Sequence, residues 1–444
     1  MTEPAMTAAG AADLDPQPGT VASRRRFYGW RIVTALAVTE TVSWGVLYYA
    51  FAVFQVPMRA ELGFSTAQTS GAFSLAVLVT GLAAMPVGRW LDRYGARGLM
   101  TAGSVAAVLL VVAWSRVHSL LGLYAVFAGV GLVSAAVLYE PAFAVVVRWF
   151  AVRRARALLA VTVVAGFASS IFMPASDLLI RAVGWRDALL VLAGVLAVTT
   201  VLPHALVLRR DPADLGLHPD GAAAPPAIPS SATHRSAGGL RRTARWALRD
   251  PLFGWLTLGF AANTLAVVVV AVHLVPFLRE HGHGGTFAAV AAGALGALSV
   301  TGRLAVTGAT RRWPTAAVTA VAFAVQAVAV VVLLAAGSST AGAVAFVLLF
   351  GLGFGVGTIS RPALLADAYG TASYATLSAL GGVAFTAAKV VGPVAAGLAV
   401  TATGSWTPVL LGLFAAAAVA SVAAARAGSL LTLRHGTRPE AGRR

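Results

Sequence analysis

Apolar stretches of roughly 20 residues, enough to cross about 30 Å of hydrocarbon as a helix, recur along the whole chain. Short clusters of charge, glycine and proline part them. Twelve can be placed, at about 28–55, 67–88, 98–115, 120–147, 157–180, 187–208, 252–278, 285–307, 314–336, 338–366, 373–401 and 406–427. None alternates apolar and polar positions as a barrel strand does, so the pattern predicts twelve membrane helices. The breaks at 307/314 and 336/338 are the least marked.

One long polar insert, residues 209–250, divides the twelve into six and six. Its stretch "GAAAPPAIPSSATHRSAGG" cannot build a core and reads as a flexible linker. Its end, "LRRTARWALRDP", is a short basic amphipathic stretch. It is expected to lie on the inner membrane face or to lead into the seventh span. The expected organisation is a disordered tail over 1–27, a six-helix bundle over 28–208, the linker over 209–250, a second bundle over 251–427 and a tail over 428–444. The first 23 residues are small and polar with no apolar core, so a cleaved signal is not expected.

Composition agrees with a membrane protein. Charged residues make up 11% and hydrophobic residues 58% of the 444, against about 25% charged in a soluble domain. The formal charge of +17 would suit nucleic acid, but its placement argues against that partner. Of the 33 Lys and Arg, 25 fall on the side of both termini. Five fall on the other side (Arg59, Arg116, Arg181, Arg186, Arg279), and Arg303, Arg361 and Lys389 lie within spans. This is the positive-inside asymmetry, so both termini are expected to be cytoplasmic, in an inner or plasma membrane. With no cysteine, no disulfide or thiol site is possible. The eight histidines lie mostly in loops, and no enzyme, metal or cofactor constellation is visible. Lipid is the expected surrounding, and the chain is expected to act as a monomer. Trp and Tyr near span ends, including Trp114, Trp185 and Trp406, are expected as interface anchors.

The two halves echo each other. "YEPAFAVVVRWF" at 139 has a partner in "SRPALLADAYG" at 360, so Glu140 corresponds to Arg361 at an offset of 221. Each lies eight residues from its span's cytoplasmic end, roughly 12 Å deep at 1.5 Å per residue. A carboxylate costs several kcal/mol in hydrocarbon. A pseudo-twofold axis along the membrane normal would let this acid and base face and neutralise one another.

After the second span the loop reads "GRWLDRYGAR", in which Gly88, Asp92, Arg93, Gly95 and Arg97 resemble the loop signature of the major facilitator superfamily. Trp90 and Leu91 are bulkier than usual, and the second-half copy "GATRRWP" carries Arg312 in place of the acid. Within that superfamily, "GVLYYAFAVF", "RWFAVRRARAL", "GWRDALLVL", "RRDPADLGLHPDG" and "HLVPFL" look like bacterial relatives of the monocarboxylate transporters and the oxalate–formate antiporter. The resemblance implies an all-α membrane protein with twelve transmembrane helices in two pseudo-symmetric bundles. It implies alternating access, with a small monocarboxylate-like organic anion moved with protons or by exchange. Arg303 in "SVTGRLAV" matches the family's substrate-binding arginine, while the polar or acidic position four residues earlier is only Ser299. Tyr139 and His273 match a fourth-span tyrosine and a seventh-span histidine of related transporters. The glycine-rich fifth-span run of drug–proton antiporters is absent, since span five reads "GFASSIFMPA". Efflux of amphipathic compounds and a non-transporting sensor remain as alternatives.

Each intramembrane charge has two readings. Glu40 forms a stripe with Trp44 and Tyr48, either as a packed helix contact or as a cavity-facing acid that carries a proton. Arg303 is a structural charge, or it is an anion anchor gripping a carboxylate with its fork. His273 is an interfacial residue, a substrate donor or a pH-sensitive gate. Lys389, the only lysine, either snorkels outward or serves because it can lose a proton. Glu140 and Arg361 form a gate pair, or Arg361 holds the anion with Glu140 as its resting counter-ion. Asp92 and Arg93 are expected to close the inner face.

Overall fold

The computed structural model describes residues 27–221 and 246–436. The expectations for the N-terminal tail, most of the linker and the chain's last residues lie outside these. So do the side chains of Asp92 and of residues 370–376.

Among the described residues eleven long apolar helical segments run from Tyr28–Leu62 to Thr407–Arg434. The segment Arg156–Leu206 is two spans rather than one, because Gly184 sits at φ +80° and ψ 163° and turns the chain back. The count of twelve follows. Spans are numbered one to twelve below in chain order. The face where span one begins at Tyr28 is the terminal face, and the face where it ends near Leu62 is the far face.

Local signals start and stop these helices twice over, at spacings near 220. Ser119 and Ser339 cap spans four and ten, each accepting from the backbone N–H of the glycine three residues on, at 3.1 and 3.0 Å. Gly63 and Gly282 end spans one and seven with φ of +69° and +90°, a conformation that costs glycine little. Spans four and ten both break in mid-membrane, at Leu138 and at Gly355.

Burial shows how the bundles meet. On the far side the cores are shared: Val268 and Val272 of the second bundle join the first bundle's core, and Ala52, Val53 and Met173 join the second's. On the terminal side each bundle has its own, around Trp149 and Phe150 in one and around Phe323 and Leu364 in the other. Hydrogen bonds between bundles gather in the far half. Gln55 donates to the Val272 carbonyl at 2.7 Å, and Ser170 donates to the Gly293 carbonyl at 2.7 Å. The Thr286 hydroxyl donates to Asp177 at 3.0 Å. Gly293 lets spans five and eight approach this closely, since a Cβ there would stand 2.8 Å from the Ser169 carbonyl. Among the described residues the bundles share their cores on the far side, which they seal together, and keep separate cores on the terminal side.

Three tryptophans differ from the sequence expectation. Trp114, Trp185 and Trp406 are buried rather than set in the lipid interface. Trp114 packs among Phe51, Phe54 and Phe127. The indole N–H groups of Trp185 and Trp406 donate to Glu61 and Glu280 at 2.5 and 2.7 Å. A buried indole favours an acceptor for its N–H, which a carboxylate at the end of a neighbouring span supplies to Trp185 and Trp406, while the Trp114 N–H has none among the described residues.

Candidate functional site

Span one supplies the first groups. On a regular helix Glu40, Trp44 and Tyr48 share a face, but the turn Gly45–Tyr49 is π-helical. The wider turn carries Tyr49 toward that face as well. Trp44 stands 5.2 Å from the Tyr48 ring and 6.4 Å from Tyr49. Gly45 is required there because a Cβ would meet the Phe172 ring at 2.1 Å. Glu40 itself is enclosed, at 0% exposure, rather than open to a cavity. No group comes within full hydrogen-bond distance of its oxygens, and the Trp44 indole N–H one turn on is the donor that approaches them.

Span four adds Tyr139. The break at Leu138 starts a new half-helix, Tyr139–Trp149, and its first residue turns toward span one. The Tyr139 ring lies 5.1 Å from Trp44 and stacks on Phe143 at 4.9 Å. Across the bundle interface, Arg303 of span eight is close enough that its charge acts on the phenols of Tyr49 and Tyr139. Its Nε is sealed from water without a hydrogen-bond partner. The break in span ten makes the room, since a Cβ on Gly355 would stand 2.7 Å from that Nε and 2.5 Å from Ser299 Oγ. The Arg303 guanidinium is thus within electrostatic range of two phenols across the bundle interface, and Glu40 is within range of Tyr139. Such a set can hold an anion by its charge and by hydrogen bonds from the phenols.

A second cluster lies nearer the terminal face. Arg361 is half-buried, its guanidinium 4.7 Å from the centre of the Phe385 ring. Glu140 and Lys389 are exposed. The charges of Arg361 and Glu140 both act on Lys389, so the structure gathers all three. The net charge of this group is positive.

His273 is not part of either cluster. It is buried in the far seal, where its Nε2 lies 3.0 Å from the Pro393 carbonyl and 3.4 Å from Ser70 Oγ. Its ring meets Trp406 edge-on at 5.7 Å. The loop motif lies at the terminal face. Gly95, at φ +80°, makes the turn between spans two and three. Arg97 donates to the Ala205 carbonyl at 2.9 Å, tying span three to span six. The Arg93 guanidinium rests 5.3 Å from the Tyr94 ring, and Gly88 has open space where a Cβ would stand.

Two carboxylates outside the membrane tie down the terminal face. Burial would raise the Asp220 carboxyl, but three backbone N–H groups, of Ala151, Val152 and Arg153, together with the Arg153 side chain, outweigh it and hold it below its ordinary value. Asp250 is alike. Burial opposes, while Arg434 at 2.5 Å, Tyr369 at 2.7 Å and the Leu252 N–H hold its carboxyl low. Among the described residues no group of three or more His, Cys, Asp or Glu stands ready for a metal ion.

Sequence reasoning missed Tyr49, whose place depends on the π turn. It missed Asp177 too, a buried acid in the far seal that accepts from Arg181 at 2.9 Å.

Residues 36–393 match the Major Facilitator Superfamily. Monocarboxylate transporter 11 of Homo sapiens is 33% identical over 278 residues, which is 61% of this chain and 54% of that protein. Monocarboxylate transporter 12 of Rattus norvegicus is 30% identical over 193 residues, 42% of this chain and 38% of its own length. The chain thus spans about half the length, or less, of these relatives. Among solved structures, a bacterial homologue of the human lysosomal transporter Spinster, inward-facing and unoccupied, has a TM-score of 0.65 at 17% identity, covering 92% of this chain and 95% of its own. The nucleoside transporter NupG has a TM-score of 0.71 at 11% identity, covering 90% and 99%.

Proposed function

The chain belongs to the major facilitator superfamily, and on that premise we propose that it is a secondary transporter for a small organic anion bearing a carboxylate. It works by alternating access around the cluster of Arg303, Tyr49 and Tyr139, coupled to protons or by exchange. The observation that carries this reading is Arg303, a permanent charge set inside the spans, whose field reaches two phenols of the opposite bundle. An intramembrane arginine is expensive and is by default a sign of a substrate path. Its planar fork matches a carboxylate, which favours an anion over an amphipathic cation.

The basic excess on the terminal face makes that face cytoplasmic. The described arrangement then opens inward. A carboxylate entering from the cytoplasm meets Lys389 and Arg361 first and Arg303 next. Glu40 carries the proton, and its closeness to Tyr139 lets the proton and the anion sense each other. Glu140 and Arg361 pair when the cytoplasmic side closes. The monocarboxylate transporters named above support the substrate class.

Counterflow in proteoliposomes tests the proposal. Vesicles preloaded with a short carboxylate should draw in labelled carboxylate against its gradient, and vesicles preloaded with the matching neutral amide should not. Equal counterflow with amide and acid would overturn the anion reading.

A further inference from the structure

We infer that the substrate is an aryl carboxylate, with its ring held against a wall built from Trp44, Tyr48, Tyr49, Tyr139 and Phe143 while Arg303 holds its carboxylate. The inference rests on the anion-transport reading and narrows its substrate class. The wall is continuous. Trp44 reaches Tyr48 at 5.2 Å, Tyr49 at 6.4 Å and Tyr139 at 5.1 Å, and Tyr139 stacks on Phe143 at 4.9 Å. These spacings, 4.5–7 Å between centroids, are those that rings adopt with one another and with an incoming ring.

Packing alone does not account for the wall. Tyr48 leans on the bundle's aromatic core through Phe73 at 5.0 Å, but the core itself, Phe51, Phe73, Trp114 and Phe127, is no more than 2% exposed. The five wall residues are only half-buried, although they sit in mid-membrane spans. Three of them bring polar groups near charges of the site: the Trp44 N–H approaches Glu40, and the Tyr49 and Tyr139 phenols lie under the influence of Arg303. A two- or three-carbon acid would cover little of this surface and leave most ring faces bare. A flat ring with one carboxylate covers the faces and places its charge on the guanidinium. The π turn at Gly45–Tyr49 and the break at Leu138 are the two irregularities that bring Tyr49 and Tyr139 to the wall. Local departures of this kind gather at functional sites.

Calorimetric titration of the purified full chain with four probes tests this. Benzoate and cyclohexanecarboxylate match in carbon number and charge but differ in aromaticity. Acetate lacks the ring, and benzamide lacks the charge. Benzoate should bind roughly two- to tenfold tighter than cyclohexanecarboxylate, the range found for aromatic pairs beyond their area. Acetate should be weaker than both, and benzamide should not bind. Tyr139→Leu should bring the benzoate to cyclohexanecarboxylate ratio near one, and Tyr139→Phe should keep it. Trp44→Leu should act like Tyr139→Leu, and if it does not fold the Tyr139 pair decides alone. Equal affinity for benzoate and cyclohexanecarboxylate, or acetate as tight as benzoate, overturns the aryl inference and leaves anion binding standing. Benzamide as tight as benzoate, or no binding of any carboxylate, overturns the anion reading itself.

Discussion

The far seal contains a charge that is balanced only in one conformation, and its removal should shift the transport cycle. "VPMRAELG" at 56–63 and "VPFLREHG" at 275–282 are copies of one helix end. In the first copy Glu61 takes the Trp185 N–H, and Arg186, the next residue, neutralises it at 2.8 Å within the same bundle. In the second copy Glu280 takes the Trp406 N–H, but the next residue is Thr407. Its counter-ion is Arg59, 3.6 Å away on the other bundle. On this geometry Glu61 should stay paired through the cycle, whereas Glu280 should lose its partner whenever the far face opens. The side chains are 22% and 44% exposed, so water screens the pair, and measured pairs of this kind contribute about 0.2–1 kcal/mol. At the upper end, losing it changes the ratio of far-open to far-closed states roughly fivefold, since 1.4 kcal/mol is tenfold. The chain has no cysteine, so one introduced thiol reports cleanly. Ser70→Cys places it in the seal, at a position with 0% exposure. Its labelling by a maleimide should speed up about two- to fivefold in Glu280→Gln and in Arg59→Gln, with no further gain in the double variant. High salt should narrow the difference. Glu61→Gln should leave labelling unchanged while lowering thermal stability. Additive effects of the Arg59 and Glu280 changes, or an equal effect from Glu61→Gln, would refute the latch.

Glu40→Gln should abolish accumulation driven by a pH gradient and spare counterflow, and unchanged pH dependence would assign Glu40 to packing. Glu140→Arg combined with Arg361→Glu should recover part of the uptake lost in each single variant if the two residues form a gate. No recovery would favour Arg361 as an anion ligand on its own helix. Asp250→Asn should lower stability by about 2 kcal/mol, the scale of a hydrogen-bonded charge pair, as read by thermal unfolding. Because the Asp250 carboxyl is held below its ordinary value, this contribution is full above about pH 4 and fades as pH falls further. A wild-type advantage over Asp250→Asn that grew on acidification would contradict the assignment.

The helices were legible because hydrophobic length alone sets them, and even the missing break in Arg156–Leu206 is written as Gly184. The candidate site was legible where a rare residue type points to it, as with Arg303 inside a span and Tyr139 beside a helix break. It was not legible where backbone irregularity shifts the register. A regular helix puts Tyr48 on the Glu40 stripe and gives no reason to choose Tyr49, and the π turn alone brings it in. Lys389 could not be joined to Glu140 and Arg361 from spacing, because their meeting depends on how two bundles lean together. Trp185 and Trp406 were expected at the lipid interface because position along a span says nothing about which side of the helix faces lipid. The repeated Val-Pro and Glu-x-Gly at 56–63 and 275–282 was the readable clue to their carboxylate partners.

The central claim is that Arg303 is the anion anchor, and equilibrium binding of a carboxylate to Arg303→Lys tests it most directly. Lysine keeps the charge and loses the fork. The variant should fold, keep the wild-type melting temperature without ligand, and bind the carboxylate at least about tenfold more weakly, near the 1.5–3 kcal/mol of a charged hydrogen bond. Wild-type affinity in Arg303→Lys would contradict the account and remove Arg303 from the site.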